Sequence, residues 1–253
     1  MRFAVIALLT LANATAQVSD VQKLVEELYP NNERMKTMRV ADLVRELHAS
    51  TGSTIADIGC GSGQFSVVLG KVVGPSGRVF CVDVDSLKEA RRNFQKNAVK
   101  NVIAVSGASD DPKLAPGSID GVLIVNAYHE MEKSAEMLRH IHDALKPGGR
   151  LVICDNTPHR TASRPRESQT KNHVIAEATV AADLEVGGFK DRKARLRVHR
   201  QSGLRKPALA DRCLTEVSLI FAMPYEMFRG PCDVSAQATS KLTERPLGAF
   251  KES

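Results

Sequence analysis

The segment Asp57-Ile58-Gly59-Cys60-Gly61-Ser62-Gly63 carries the strongest chemical signal in the sequence. Three glycines at alternate positions permit positive φ and let a ligand approach the main chain closely. An apolar run precedes them and a helical stripe follows, so the N–H groups that open the helix point at whatever occupies the loop. A dinucleotide fingerprint has the spacing G-x-G-x-x-G. Counted from Gly59, its third glycine would fall on Gln64, so the loop reads G-x-G-x-G with an acid two residues ahead. Asp83 lies twenty residues beyond Gly63, at the end of a second apolar run. A carboxylate there can accept hydrogen bonds from both hydroxyls of a ribose, with Asp85 as its rival for the role. His129 and Glu130 follow a fourth apolar run. A histidine at that place can remove a proton from a reacting nucleophile, or can order the loop around a pocket. Tyr128 can wall that pocket or pack, while His140 and His142 fall on a helical segment and read as surface residues.

The elements that must position these residues alternate from Ser53 to Cys154. Strands are expected at Thr54–Ile58, Arg78–Asp83, Val102–Val105, Asp120–Val125 and Leu151–Cys154. Phe65, Val68, Leu69, Val72 and Val73 follow helical spacing, as do Met137, Leu138, Ile141 and Leu145. Ser86-Leu87-Lys88-Glu89 reads as a capping box opening another helix. Strands separated by helical segments imply crossovers and a parallel sheet. The fourth strand is nearly continuous in apolar residues, as a strand covered on both faces should be. Ahead of this unit, Val18–Leu28 and Arg39–Ala49 read as two lid helices. After it, Thr157–Gln169 is loop-like, Ile175–Val186 is helical, and Arg195–His199 and Glu216–Met223 are candidate late strands.

With Ala56–Gly63, Val82-Asp83 and Leu145-Lys146-Pro147-Gly148-Gly149-Arg150-Leu151 in this order, the chain resembles a class I S-adenosylmethionine-dependent methyltransferase. Asp111-Pro112-Lys113-Leu114, Gly117-Ser118-Ile119-Asp120 and Tyr128-His129-Glu130 add likeness to a bacterial small-molecule subgroup, and the match covers about residues 35–189. The resemblance implies an α/β, Rossmann-like fold with a mostly parallel sheet flanked by helices, and S-adenosylmethionine as cofactor. It implies that Asp57, Gly59, Cys60, Gly61 and Gly63 surround the methionine end of the cofactor. Asp83 then holds the ribose with Val84 beside it, Gly107-Ala108-Ser109-Asp110 flanks the adenine, and Asn126 sits beside the sulfonium. Many relatives carry an acid directly after the glycine of that adenine segment; this chain has Ala108, and Asp110 is the nearest substitute. The sulfonium is already an activated methyl donor, so the protein need only align an acceptor, and orientation alone can lower a barrier by roughly 7–11 kcal/mol. The acceptor is expected to be a small molecule. The alternative is a cofactor-binding protein of the same fold without catalysis.

Composition narrows the remaining classes. The 253 residues are 43% hydrophobic and 25% charged, which excludes a disordered or collagen-like chain. With no Trp and 4% aromatics, a base-stacking platform is not expected. The net charge of +6 lies wholly in residues 190–253, with eight basic residues against one acid between Lys190 and Lys206. That stretch is either an anion-binding patch or a solvated edge. Without interleaved aromatics, nucleic acid is an unfavoured partner.

Met1-Arg2, the apolar run Phe3–Ala12 and small-residue sites ending at Ala14 or Ala16 have the order of a secretory signal over 1–16. The domain order expected is then 17–50 lid helices, 51–200 cofactor-binding domain and 201–253 tail. Such a leader directs export; without cleavage it would pack as an N-terminal helix of a cytoplasmic protein. No run reaches the ~18 apolar residues of a membrane span. Cys60, Cys81 and Cys154 fall on or beside apolar strands and read as small buried hydrophobes, whereas Cys213 and Cys232 can pair in an exported protein. No Cys/His set has ligand spacing, so no metal is expected.

Overall fold

The computed structural model describes residues 20–156, 165–189, 194–198 and 216–222. The leader, the rest of the tail, Cys213, Cys232 and most of the basic 190–206 stretch lie outside the described residues.

Seven strands form one sheet: β1 (Thr54–Ile58), β2 (Arg78–Asp83), β3 (Val102–Ser106), β4 (Ile119–Val125), β5 (Leu145–Asn156), β6 (Ala194–Val198) and β7 (Glu216–Ala222). Their order is β3-β2-β1-β4-β5-β7-β6, and each neighbouring pair runs parallel. The helices are α1 (20–28), α2 (Glu33–Thr37), α3 (Val40–Glu46), α4 (Gln64–Val73), α5 (Lys88–Lys96), α6 (Ser134–Ala144), α7 (Arg166–Lys171) and α8 (Glu177–Val186). This is the Rossmann-like α/β architecture expected from the alternation of strand and helix patterns.

Alternation along each central strand separates two cores. Ile55, Leu123 and Val125 face one side, where Val67, Val68 and Leu69 of α4 and Ala90 and Phe94 of α5 cover them. Ala56, Ile58, Val122 and Ile124 face the other, covered by Met137, Leu138 and Ile141 of α6 and Val180 and Leu184 of α8. Because both faces are covered, β1 and β4 read as continuous apolar runs.

Two local expectations are corrected. Arg39–Ala49 does not form a lid: Leu43, Val44 and Leu47 are buried in the same core as α4, and the absent side chain of Gly121 in β4 makes room for Leu47. The residue capping α5 is Leu87, with no side-chain cap, so Ser86 does not form the expected capping box. The connection from β3 to β4 contains no helix over 107–118. Pro112, Pro116 and Gly117 interrupt it, and each proline removes a helical N–H donor and clashes with the preceding turn. That crossover is therefore a loop that starts at the carboxyl end of β3 and returns to the amino end of β4, where Gly117 and Ser118 bond the carbonyls of Asp143 and Ala144.

Candidate cofactor and acceptor site

The strand order reverses between β1 and β4, the neighbours from which the chain proceeds in opposite directions across the sheet. Ligands of open α/β sheets bind outside the carboxyl ends of the strands at such a point. The glycine loop after β1 and the Asn126–Glu130 segment after β4 flank it.

The glycine loop folds back on β2: the N–H groups of Gly59 and Cys60 both donate to the carbonyl of Val82, at 2.9 and 3.2 Å. A Cβ on Gly59 would stand 2.4 Å from the Cβ of Ala127, so this glycine is required by the close approach of the β4 loop. Gly61 differs: its φ is +51° and an added Cβ would meet nothing within 4 Å. It therefore borders open space where a ligand can approach the backbone. Gly63 caps α4 at φ +73° and yields its side-chain space to Phe94.

Asp83 ties this loop to the end of β2. Its Oδ2 accepts from the Gly61 N–H at 2.7 Å and its Oδ1 from the Asp85 N–H at 3.0 Å. Each oxygen retains a lone pair for a ligand hydroxyl. Asp57 is fully buried in β1 and accepts from the Ser66 hydroxyl at 2.5 Å. Burial pushes its carboxyl up to about 6, Ser66 opposes this, and the negative Asp83 adds to it. Two acids thus make the loop a favourable place for a cation. Val84 beside Asp83 is exposed.

Across the site, Gly107 donates to the Asp83 carbonyl and Ala108 to that of Asp111, fixing the segment that contains Ser109. Asp110 is paired with Lys133 at 2.8 Å, and this bond lowers its carboxyl pKa. Its charge is therefore already partnered at the rim. Asn126 has φ +52°, a strained setting for a non-glycine residue. Its Oδ1 accepts from Asn156 Nδ2 at 2.9 Å. The Oδ1 of Asn156 is buried without a partner, one of two such side-chain atoms among the described residues.

His129 is buried. Its Nδ1 lies 2.8 Å from Asp155 Oδ1, and its main-chain N–H donates to Asp155 Oδ2 at 3.0 Å. An ionised carboxylate only accepts, so Nδ1 carries the hydrogen and Nε2 presents a lone pair. Burial lowers the imidazole pKa, but Asp155 and Glu130 together outweigh it and raise the net value. Tyr128 is a packing residue: its hydroxyl, Ser134 and Arg166 all bond to Asp183, so that α7 and α8 are clamped onto the β4 loop.

Several functional candidates were not singled out from the sequence. Asp155 and Asn156 end an apolar strand in polar residues, the same signal that marked Asp83. Tyr29 reaches from the segment after α1 to the glycine loop, where its hydroxyl bonds the Gln64 carbonyl at 3.4 Å. No sequence pattern marks that long-range contact.

The largest departure is covalent. Cys60 and Cys81 form a disulfide with a Cα–Cα distance of 5.6 Å, so neither is the free buried thiol expected. The fold-back of Gly59 and Cys60 onto Val82 brings the loop cysteine beside β2. Cys154 remains a buried free thiol, pushed up to about 12 by burial and then by Asp155. A crosslink spanning 21 residues stabilises by about 3 kcal/mol through the unfolded chain. Reduction should lower the stability read by urea unfolding by about that amount, and a Cys60→Ser/Cys81→Ser variant should be insensitive to reductant. Equal stability with and without reductant in the parent would contradict the crosslink.

These features define a cofactor-binding α/β site of the methyltransferase type. A family model described as a methyltransferase domain matches residues 49–202, and the chain belongs to this family, the class I S-adenosylmethionine-dependent methyltransferases. It is similar to the demethylmenaquinone methyltransferase of Lactococcus lactis subsp. lactis, 35% identical over 131 residues, covering 51% of this chain and 49% of that protein. It is also similar to that of Listeria welshimeri, 24% identical over 147 residues, covering 54% of this chain and 62% of the relative. The chain thus spans about half to three fifths of the length of these relatives. Its fold is similar to a solved S-adenosylmethionine-dependent methyltransferase from Aquifex aeolicus, with TM-score 0.54 and 24% identity over 68% of this chain and 87% of that one.

Proposed function

We propose that this protein transfers a methyl group from S-adenosylmethionine to a small-molecule acceptor. The observation that carries the reading is the pairing of Asp83 with Gly61, a carboxylate with spare lone pairs beside a glycine that borders open space. The donor supplies an activated methyl group; on transfer its C–S bond breaks, the bond from the acceptor atom to the methyl carbon forms, and the acceptor O–H, N–H, S–H or C–H gives up its proton. Asp57 and Asp83 bind the cationic and ribose portions, and Ser109 and Asp110 border the adenine. Asn126 holds its strained place beside the transferring carbon. His129 offers only Nε2 as a proton acceptor, since Asp155 engages Nδ1.

The name of the Lactococcus relative makes demethylmenaquinone the first acceptor to test. Incubation with labelled methyl donor and a panel of quinols, phenols, thiols and amines should label one class. No labelling of any of them by a protein that binds the donor would favour cofactor binding without catalysis.

The Cys60–Cys81 disulfide also supports a role outside the reducing cytosol, as the leader at 1–16 would direct. Fused to a reporter active only after export, residues 1–20 should give signal. Intact Met1 on cytosolic protein would contradict this.

A further inference from the structure

We propose that His129, Glu130 and His173 form a binding site for a single divalent transition metal ion of the zinc type, with Asp155 orienting His129 from behind. The three residues come from the turn after β4 and from the end of α7, forty-four positions apart in sequence, and their ligand atoms converge within 4.8 Å.

The spacing fits a metal. His129 Nε2 lies 3.4 Å from His173 Nδ1 and 3.5 Å from Glu130 Oε1, and His173 Nδ1 lies 3.9 Å from Glu130 Oε1. A tetrahedral ion with bonds of about 2.0–2.1 Å holds its ligand atoms about 3.3 Å apart. Small rotamer adjustments of the two exposed residues close the remaining difference, since Glu130 and His173 are exposed while His129 is buried.

Charge and hydrogen bonding point the same way. Asp155 accepts the Nδ1–H of His129, the main-chain N–H of His129 and that of Asn156. Its commitment to Nδ1 leaves Nε2 of His129 directed at the Glu130 carboxylate, 3.5 Å away, and at His173 Nδ1, 3.4 Å away. A carboxylate holding the far nitrogen of a ligating histidine is the usual way to fix tautomer and orientation at a zinc site. His173 ends α7 at φ +53° in a Schellman turn, its N–H donating to the Thr170 carbonyl at 2.9 Å and that of Val174 to the Gln169 carbonyl at 3.2 Å, while its own carbonyl accepts from Asn156 at 3.4 Å.

Two histidines and one carboxylate leave a fourth position open, the arrangement of zinc sites that take water or a substrate oxygen. The site lies at the carboxyl ends of β4 and β5, beside Asn126 and Asn156. An acceptor hydroxyl bound to the ion would lose its proton more readily, and His129 would then hold the metal and not the proton. Metal binding is measurable without any methyl transfer, so the proposal stands or falls separately from the reading above.

The test is calorimetric titration of the full, untagged, chelator-treated chain with Zn2+ alone at neutral pH, paired with the absorption spectrum of the Co2+ form. One equivalent should bind, with a tetrahedral cobalt spectrum. His173→Ala and Glu130→Gln change exposed side chains and should remain folded by circular dichroism. Each should weaken binding by at least the ~10–100-fold that loss of a metal's supporting partner produces. Asp155→Asn should weaken it by a similar ~10–100-fold if the chain folds. Absence of binding by the parent at micromolar Zn2+, or binding that both His173→Ala and Glu130→Gln leave unchanged, would overturn the proposal.

Discussion

Asp83→Ala will weaken binding of S-adenosylmethionine and S-adenosylhomocysteine by about 30-fold to several hundred-fold. The substitution removes two acceptors for the ribose hydroxyls, and loss of two charge-assisted bonds costs roughly 2–4 kcal/mol after water replaces the carboxylate, at about 1.4 kcal/mol per tenfold. The same carboxylate also holds the Gly61 N–H at 2.7 Å, so the loop itself loosens and the upper part of that range is expected. Both ligands should suffer alike, because they share the ribose. Asp83→Asn keeps one acceptor oxygen and should fall between. Asp85 contributes its main-chain N–H to Asp83, so Asp85→Ala should have little effect. Circular dichroism should register an intact fold throughout, since the apolar run of β2 is untouched.

The second large effect is a trade between stability and binding at Asp57. Its carboxyl is raised from 3.8 to about 6, chiefly by burial. A carboxyl whose folded pKa exceeds its unfolded value favours folding fully below pH 3.8, and this contribution is lost as pH rises through about 6. At about 1.36 kcal/mol per unit, the free protein should be about 3 kcal/mol less stable above that window than an otherwise equal chain with a neutral group there. Asp57→Asn should therefore stabilise the protein against urea at pH ~8 by up to about 3 kcal/mol and have little effect at pH ~4. It should also weaken cofactor binding, because the ammonium of the ligand favours the ionised form. In the parent, cofactor affinity should rise with pH up to about 6 and level off. A parent affinity flat from pH ~4 to ~8, or no stability gain in the variant, would contradict this role.

The central sheet was legible because β1, β2 and β4 are buried on both faces and so appear as apolar runs bounded by Gly, Asp or Asn. The turn after β1 is legible because Gly59, Gly61 and Gly63, which all take positive φ, stand at alternate positions between an apolar run and a helical stripe. The sequence also marked the late strands at Ala194–Val198 and Glu216–Ala222 within a residue or two. What it did not reveal depends on register and on distance. Nothing in a linear pattern states that Asp57 pairs with Cys81 across β1 and β2, yet that register brings Cys60 to Cys81. His173 meets His129 only because α7 folds back over the β4 turn, where Thr170 donates to the His129 carbonyl at 2.8 Å. Metal-ligand spacing rules look for near neighbours, so they pass over such a set. The lid expected at Arg39–Ala49 rests on an amphipathic stripe, which states that a face is buried without stating against what; α3 turns that face into the core shared with α4.

Binding of S-adenosylmethionine by the loop from Asp57 to Gly63, with Asp83, is what the proposed methyl transfer depends on. The most direct test is calorimetric titration of the full chain with S-adenosylmethionine, S-adenosylhomocysteine and NAD at neutral pH. One equivalent of each of the first two should bind, and NAD, whose fingerprint spacing the loop lacks, should give no heat of binding. Failure of the folded protein to bind either sulfur ligand, or preferential binding of NAD, would contradict it.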